Sequence, residues 1–354
     1  MADEWNPKEH SVIKETILEK YLLPWFMKTS SGFKHVFYID TCSGPGIFKN
    51  GVIGSPVIAL RKAHEVWKVH PKTRYHLIFC DIDKVMIERL KSNIAKTLCE
   101  FKDPFYDESE IIYLNCDFVD DFEKILKLMR IRSSASFFFI DPYGARTVPF
   151  TTIVEVAKRD SSEVLFNFML SDVNRNKDRL NSSEVKRIMG DERVLEGIRN
   201  IEQISEVFLS KLKERTNALI TRYSVRSVKK KSLLYDLIHL TKHCDGISIM
   251  KEVMGSLSKT PHYFSNDSRY SKKQLTIFMP GSNHSFTEVL EQIVADREMK
   301  VEDIYQAIVC SDRYQWSERD VRARLTEMLK KGQIEVASGK KAINKNSLVK
   351  MTHL

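Results

Sequence analysis

The sequence predicts an α/β protein with a doubly wound, Rossmann-like fold built on a mainly parallel sheet. Two observations predict it. Short, almost continuously apolar runs of strand length alternate with amphipathic helical stretches, and four of those runs in succession end in an acid. Strands that lack polar alternation are buried on both faces, the condition of a parallel sheet covered by helices. Such sheets take their ligands at the carboxyl ends of the strands.

The elements follow in order. EHSVIKETILEKYLLPWFMK (9–28) places Val12, Ile13, Ile17, Leu18, Tyr21, Leu22 and Trp25 at helical spacing, and Pro24 is expected to break or kink that helix. HVFYID (35–40) is a strand running into a Gly-Pro-Gly turn, and SPVIALRKAHEVW (55–67) is a helix. Strand HLIFCDID (76–83), helix KVMIERLKSNIAKTL (84–98), strand IIYLNCDF (111–118) and helix DDFEKILKLMRI repeat the alternation. Strand SFFFIDP (136–142), helix PFTTIVEVAKRD and strand EVLFNF (163–168) complete a five-stranded set, with Phe137, Phe138 and Phe139 as core. Residues 170–215 are polar with interleaved charges and are expected to form a helical insert. ALITRYSVRSVKK (218–230) and SLLYDLIHLT (232–241) are expected to close the sheet, with a helix over 246–254 and an aromatic loop over 261–270 leading to QLTIFMPG.

The tail differs in character. SFTEVLEQIVADR, VEDIYQAIVCS and SERDVRARLTEMLKKGQ each have helical periodicity, the last opening on Ser317 as N-cap and stopping at Gly332. IEVAS and AINKN flank Gly339-Lys340-Lys341 as a hairpin. Three helices and a basic hairpin spell a small C-terminal winged helix-turn-helix, a module that docks on nucleic acid or on protein. The expected division is a domain over 1–280 and the winged module over 281–354.

Composition narrows the class. With 42% hydrophobic and 29% charged residues in 354, the chain is not mainly disordered. No window approaches the roughly 18–20 apolar residues of a membrane span, and MADEWNPKEH has no secretory pattern, so a cytoplasmic protein is expected. The six cysteines form no C-x-x-C pair and are expected to be reduced thiols. His239 and His243 stand four apart without a further ligand at metal spacing, so no metal is expected. The net charge of +9 is uneven: residues 1–220 carry about +1 and 221–354 about +8. Clusters including Lys229, Lys230, Lys340 and Lys341 suit a polyanion such as DNA or RNA, the alternative being a solvated basic face.

The strand ends carry the chemistry. The first ends in Asp40-Thr41-Cys42-Ser43-Gly44-Pro45-Gly46, a turn where the backbone can approach a ligand. Position 49 is Lys, so the third glycine of a dinucleotide site is missing, which weakens an NAD-dependent oxidoreductase. Asp81, with Asp83 beside it, ends the second strand and can accept both hydroxyls of a ribose. Asp117 ends the third, able to accept from an adenine amine while Phe118 covers the base, and Asp141 ends the fourth. Any one acid could simply cap the next helix, but four in order make an acidic rim. Such a rim repels a pyrophosphate and suits a sulfonium cation joined to adenosine, which points to S-adenosylmethionine.

Asp141-Pro142-Tyr143-Gly144 resembles the D-P-P-Y or N-P-P-Y loop of amino-methylating nucleic-acid methyltransferases, one proline short. The resemblance implies that Asp141 and the Pro142 carbonyl accept from an exocyclic amine, with Tyr143 stacking on the flipped base. A wider resemblance rests on HSVIKETILEKYLLPWF, YIDTCSGPG followed by GSPVIAL, FFFIDPYG, EVLFNFMLSDVNR and LLYDLIHLTKHCDGISIMKEVM. Together these resemble the three-Cys-motif partner family. That resemblance implies a class I methyltransferase fold, a winged-helix tail and a separate partner protein bearing a three-cysteine motif. It also implies substrate contacts after strand five, at Asn167, Asp172 and Arg175, with Gly144 beside them. Lys14 on the first helix could face a cofactor carboxylate, although a solvated lysine is the simpler reading. The expected function is S-adenosylmethionine-dependent methylation of nucleic acid at an exocyclic amine, with Ser43, Gly44 and Gly46 joining the acids around the cofactor. The alternative is a non-enzymatic protein of the same fold that docks its partner.

Overall fold

The computed structural model describes residues 11–105, 110–131, 133–145, 148–226, 232–257, 285–295, 297–311, 314–339 and 342–352. The 261–270 and QLTIFMPG segments, and the candidate contacts Lys229, Lys230, Lys340 and Lys341, lie outside the described residues. Compactness divides the chain into one unit of residues 1–218 with 222–242 and a second of 219–221 with 243–354. The sequence expectation drew its boundary at 280.

In the first unit, helix α1 (Ser11–Gly32) precedes β1 (His35–Asp40), α2 (Ser55–Trp67), β2 (Arg74–Asp81), α3 (Lys84–Glu100) and β3 (Glu110–Asn115). Then come α4 (Phe122–Leu128), β4 (Ser134–Ile140), α5 (Phe150–Lys158) and β5 (Ser162–Phe168). The expected insert is helical: α6 (Leu170–Asn176), a short 3-10 turn, α7 (Ser182–Met189) and α8 (Ile201–Thr216). Strands β6 (Leu219–Arg226) and β7 (Leu233–Thr241) follow. The seven-stranded sheet has the order β3-β2-β1-β4-β5-β7-β6. Strands β1 to β5 pair in parallel, and β7 returns antiparallel to β5. This is the doubly wound, Rossmann-like arrangement the alternation predicts. The chain winds outward from β1 to β3, then restarts at β4 on the other side of β1, so the crevice lies at the carboxyl ends of β1 and β4.

The expected break does not occur in α1, which runs through Pro24 as a single helix. The missing N–H and ring clash cost about 3 kcal/mol. Around the proline, Tyr21, Leu22, Trp25 and Phe26 are all buried. At about 1.5–3 kcal/mol for each buried large side chain, packing outweighs the break. Phe137, Phe138 and Phe139 are core as expected, none more than 1% exposed. No helix among the described residues is long and apolar enough to cross a membrane.

The second unit contains α9 (Cys244–Leu257), α10 (Phe286–Val294), β8 (Met299–Lys300), α11 (Val301–Val309), α12 (Glu318–Lys330), β9 (Ile334–Val336) and β10 (Leu348–Met351). Ser317 caps α12 in a reciprocal capping box with Asp320, as its position predicts. The three strands form an antiparallel sheet in the order β8-β10-β9. The returning strand is LVKM, not the expected AINKN. Asn344 and Ser347 close a turn, Ser347 N donating to Asn344 O at 3.0 Å and Asn344 N to Ser347 Oγ at 3.0 Å, so pairing begins only beyond it. The expectation of six free thiols is also corrected: Cys244 and Cys310 form a disulfide with Cα atoms 5.4 Å apart. Ile247 of α9 shares a core with Ile308 and Val309 of α11, which brings together two cysteines 66 residues apart in sequence. Lys251, buried beside that core, donates to the carbonyls of Val309, Ser311 and Tyr314 at 2.6, 2.9 and 2.6 Å. It thereby satisfies the open end of α11.

Candidate functional site

At the carboxyl edge of the sheet the Gly44–Gly46 turn is pinned against β2. Ser43, itself buried, donates to Cys80 O from both N (2.9 Å) and Oγ (3.1 Å), and Gly44 N donates to Asp81 Oδ2 at 2.9 Å. Gly44 and Gly46 have φ of +59° and +73°, the left-handed region that glycine enters without strain. A Cβ on Gly46 would also lie 2.7 Å from Leu90 Cδ1. The two glycines are therefore fixed by the turn and by the close approach of α3.

Three of the four strand-end acids meet beside this turn. Asp40 is fully buried, accepting from Tyr38 Oη at 3.2 Å and from Cys42 N at 3.4 Å. Loss of solvent raises its carboxyl to about 7. Asp81 is 1% exposed and accepts from Gly44 N, from Asp83 N at 2.9 Å and from Tyr143 Oη at 3.3 Å. Asp141 uses one carboxylate oxygen for Lys14 and the other for Asn167 Nδ2, at 2.7 Å in the second case. Burial pushes the Cys42 thiol far up, with Asp141, Asp40 and Asp81 adding to the effect, so this cysteine stays protonated and is no nucleophile.

Other predicted positions are engaged differently. Asp83 caps α3, accepting from Val85 N at 2.8 Å through Oδ1. Asp117 Oδ1 accepts from Val119 N at 2.8 Å. Phe118 is 4% exposed and packs edge-on against Phe122, so its ring belongs to the core and is not presented to a base. Asn115, which sequence reasoning passed over, ties β3 to the end of β2 by donating to Asp81 O (3.0 Å) and Ile82 O (2.9 Å). Its side chain is unremarkable in sequence, and only the register of β2 with β3 reveals it.

The loop after β4 is held at both ends. Tyr143 remains 56% exposed while its hydroxyl reaches Asp81, and burial of that hydroxyl next to the Asp81 carboxylate raises its pKa. Ala145 N donates to Asp172 Oδ2 at 3.0 Å, and a Cβ on Gly144 would stand 3.5 Å from the same oxygen. Asp172 Oδ1 also accepts from Asn176 Nδ2 at 3.0 Å and from the exposed Arg175 at 3.1 Å. Asp172 thus positions the loop, and Arg175 lies at its solvent side.

Two residues of α1 enter the site. Lys14, expected to be solvated, is 8% exposed and ion-paired to Asp141. Burial alone would lower its pKa, but the fields of Asp141 and Glu15 overcome this and raise it. Glu15 was not anticipated at all. Burial raises its carboxyl to about 8, and its Oε2 is buried without a hydrogen-bond partner. Seven residues on from Lys14, Tyr21 donates to Glu163, which His239 Nε2 meets at 2.9 Å, so His239 is a core histidine held through Nε2, its Nδ1 buried without a hydrogen-bond partner. No cluster of three or more metal-ligating side chains occurs among the described residues.

Comparison with known proteins adds little. No protein-family model matches the chain. No curated protein matches it in sequence. Among solved structures, the chain is similar to the O-methyltransferase TomG from Streptomyces achromogenes in complex with SAM, at 13% identity and a TM-score of 0.35, over 64% of this chain and 79% of that one. It is also similar to protein LPL1258 from Legionella pneumophila, at 14% identity and a TM-score of 0.41, over 72% of this chain and 92% of that one. At such scores neither neighbour says what this chain does, and the site's chemistry has to.

Proposed function

We propose that the chain is an S-adenosylmethionine-dependent methyltransferase whose acceptor is an exocyclic amine of a nucleic acid. The observation that carries this reading is the convergence of Asp40, Asp81 and Asp141 on a left-handed glycine turn at the point where the strand order reverses. The cofactor would lie over Gly44–Gly46, with Asp81 toward its ribose and the Asp117 carboxylate toward its adenine. When bound it supplies an electrophilic methyl group. The protein's part is to hold Asp141 and the Pro142 carbonyl as acceptors for the amine hydrogens, so that the nitrogen lone pair faces the methyl carbon. Asp141 is braced for that task by Lys14 and Asn167, and Asp172 braces the loop that carries Tyr143. No base need act before transfer, since the proton can leave the ammonium product afterwards.

The second unit supports a polyanion only in part. Its helices α10, α11 and α12 and its antiparallel sheet suit a winged helix, and the resemblance to the three-Cys-motif partner family points the same way. Yet some of its positive charge is already paired. Lys345 pairs with Glu302 and Glu318, Lys350 with Glu335, Arg319 with Glu252 and Lys331 with Glu327. These exposed pairs are worth about 0–1 kcal/mol each, so phosphates can compete for the cations. The pairing favours, as a second reading, a fold that binds the cofactor and docks a protein bearing a three-cysteine motif. Transfer of a tritiated methyl group to total DNA and total RNA from a host lacking this gene distinguishes the two. Labelled RNA or DNA is the expected result. Cofactor binding with no transfer to either would overturn the enzymatic reading in favour of the docking one.

A further inference from the structure

Resting on the cofactor proposed above, we infer that Lys14 is a specificity-determining residue: its ammonium offsets the Asp141 carboxylate and so sets how strongly the pocket prefers a sulfonium over a thioether. The reaction converts a cationic cofactor into a neutral product, S-adenosylhomocysteine. A pocket ringed by unbalanced carboxylates would favour the cation alone. Here the Asp141 carboxylate is directly opposed by an ammonium. Lys14 lies directly on Asp141, with side chains only 10% and 18% exposed, where Coulomb interactions are weakly screened. Asn167, 3% exposed, holds the second oxygen of the same carboxylate, so Asp141 cannot swing away from the lysine. Thr41 N donates to Phe139 O at 3.1 Å, which holds the end of β4 against the glycine turn. The pair therefore stands beside the turn over which the cofactor sulfur would lie. Glu15 and Asp40 are the other acids whose fields reach Lys14. Burial raises both carboxyls, Glu15 to about 8 and Asp40 to about 7, so near neutral pH Glu15 is mostly protonated and Asp40 about half so, while Lys14 and Asp141 are the directly paired opposite charges of this corner.

The test is calorimetric titration of the full chain with S-adenosylmethionine and with S-adenosylhomocysteine, read as the ratio of the two dissociation constants. Lys14→Met is expected to shift that ratio toward the sulfonium by about threefold or more. Lys14→Arg, which keeps the charge, is expected to hold the wild-type ratio, and Asp141→Asn to shift it toward the thioether. The double variant Lys14→Met/Asp141→Asn is expected to return to the wild-type ratio, which a loss of folding could not imitate. An unchanged ratio in both Lys14→Met and Asp141→Asn overturns the inference while leaving the cofactor assignment intact. Wild-type protein that binds neither compound overturns the cofactor assignment and the inference with it.

Discussion

Asp81 is the acid most closely tied to the glycine turn. Its carboxylate accepts from Gly44 N and from Asp83 N, so it shapes the turn, and under the proposed function it would also face the ribose. Asp81→Ala is expected to weaken S-adenosylhomocysteine binding at least tenfold, about 1.4 kcal/mol, by calorimetry. Glu15 and Asp40 give a pH dependence. Both carboxyls hold protons more tightly in the folded protein, at about 8 and about 7, than at their ordinary values of 4.5 and 3.8. The folded state therefore binds more protons than the unfolded one across that window. The contribution of these two groups to stability is expected to fall as pH rises from about 4 through about 8. Asp40→Asn removes one of them and is expected to flatten the slope below about pH 7; urea midpoints at about pH 5 and about pH 8 measure it. An unaltered slope would reassign the effect. The strand-end acids were legible in sequence because each ends an apolar run, whereas Glu15, inside α1, was not. Their states were not, since protonation depends on burial, and burial depends on α1 folding over the strand ends.

The loop after β4 is fixed to the site by Asp81 and Asp172. Tyr143 lays its hydroxyl on Asp81 Oδ2, so under the proposed function tyrosine and ribose would compete for that carboxylate. Tyr143→Phe is expected to bind S-adenosylhomocysteine as tightly as the wild type or more tightly, in contrast to Asp81→Ala. A tenfold loss would mean instead that the hydroxyl is a cofactor contact. Elements were the most legible level of this chain. The bounds of β1, α2 and β7 follow from apolar runs and a proline-led helix start, and Asp83 is a cap because the next residues begin a helix. Elements whose stability comes from tertiary contact were misjudged. α1 survives Pro24 through burial, and β10 replaces AINKN because the Asn344–Ser347 turn takes the preceding residues. Lys14 was hidden for the same reason: nothing local tells a lysine aimed at solvent from one aimed at Asp141.

For the whole molecule, two compact units carry separate features. The first holds the candidate site. The second is closed by the Cys244–Cys310 bond, whose 66-residue separation places the expected stabilisation at about 2–4 kcal/mol. Dithiothreitol, or Cys244→Ser, is expected to lower the thermal midpoint of the second unit, and an unmoved midpoint would mean that its shared core suffices. The uneven charge was legible in the sequence, but its pairing with Glu302, Glu318 and Glu335 was not, because ion pairs between distant residues leave no local pattern. The central claim concerns the acidic strand ends as a seat for a sulfur-bearing nucleoside. Calorimetric titration of the intact chain with S-adenosylhomocysteine and with NAD tests it most directly. The account predicts saturable binding of S-adenosylhomocysteine and none of NAD; binding of NAD alone would contradict it.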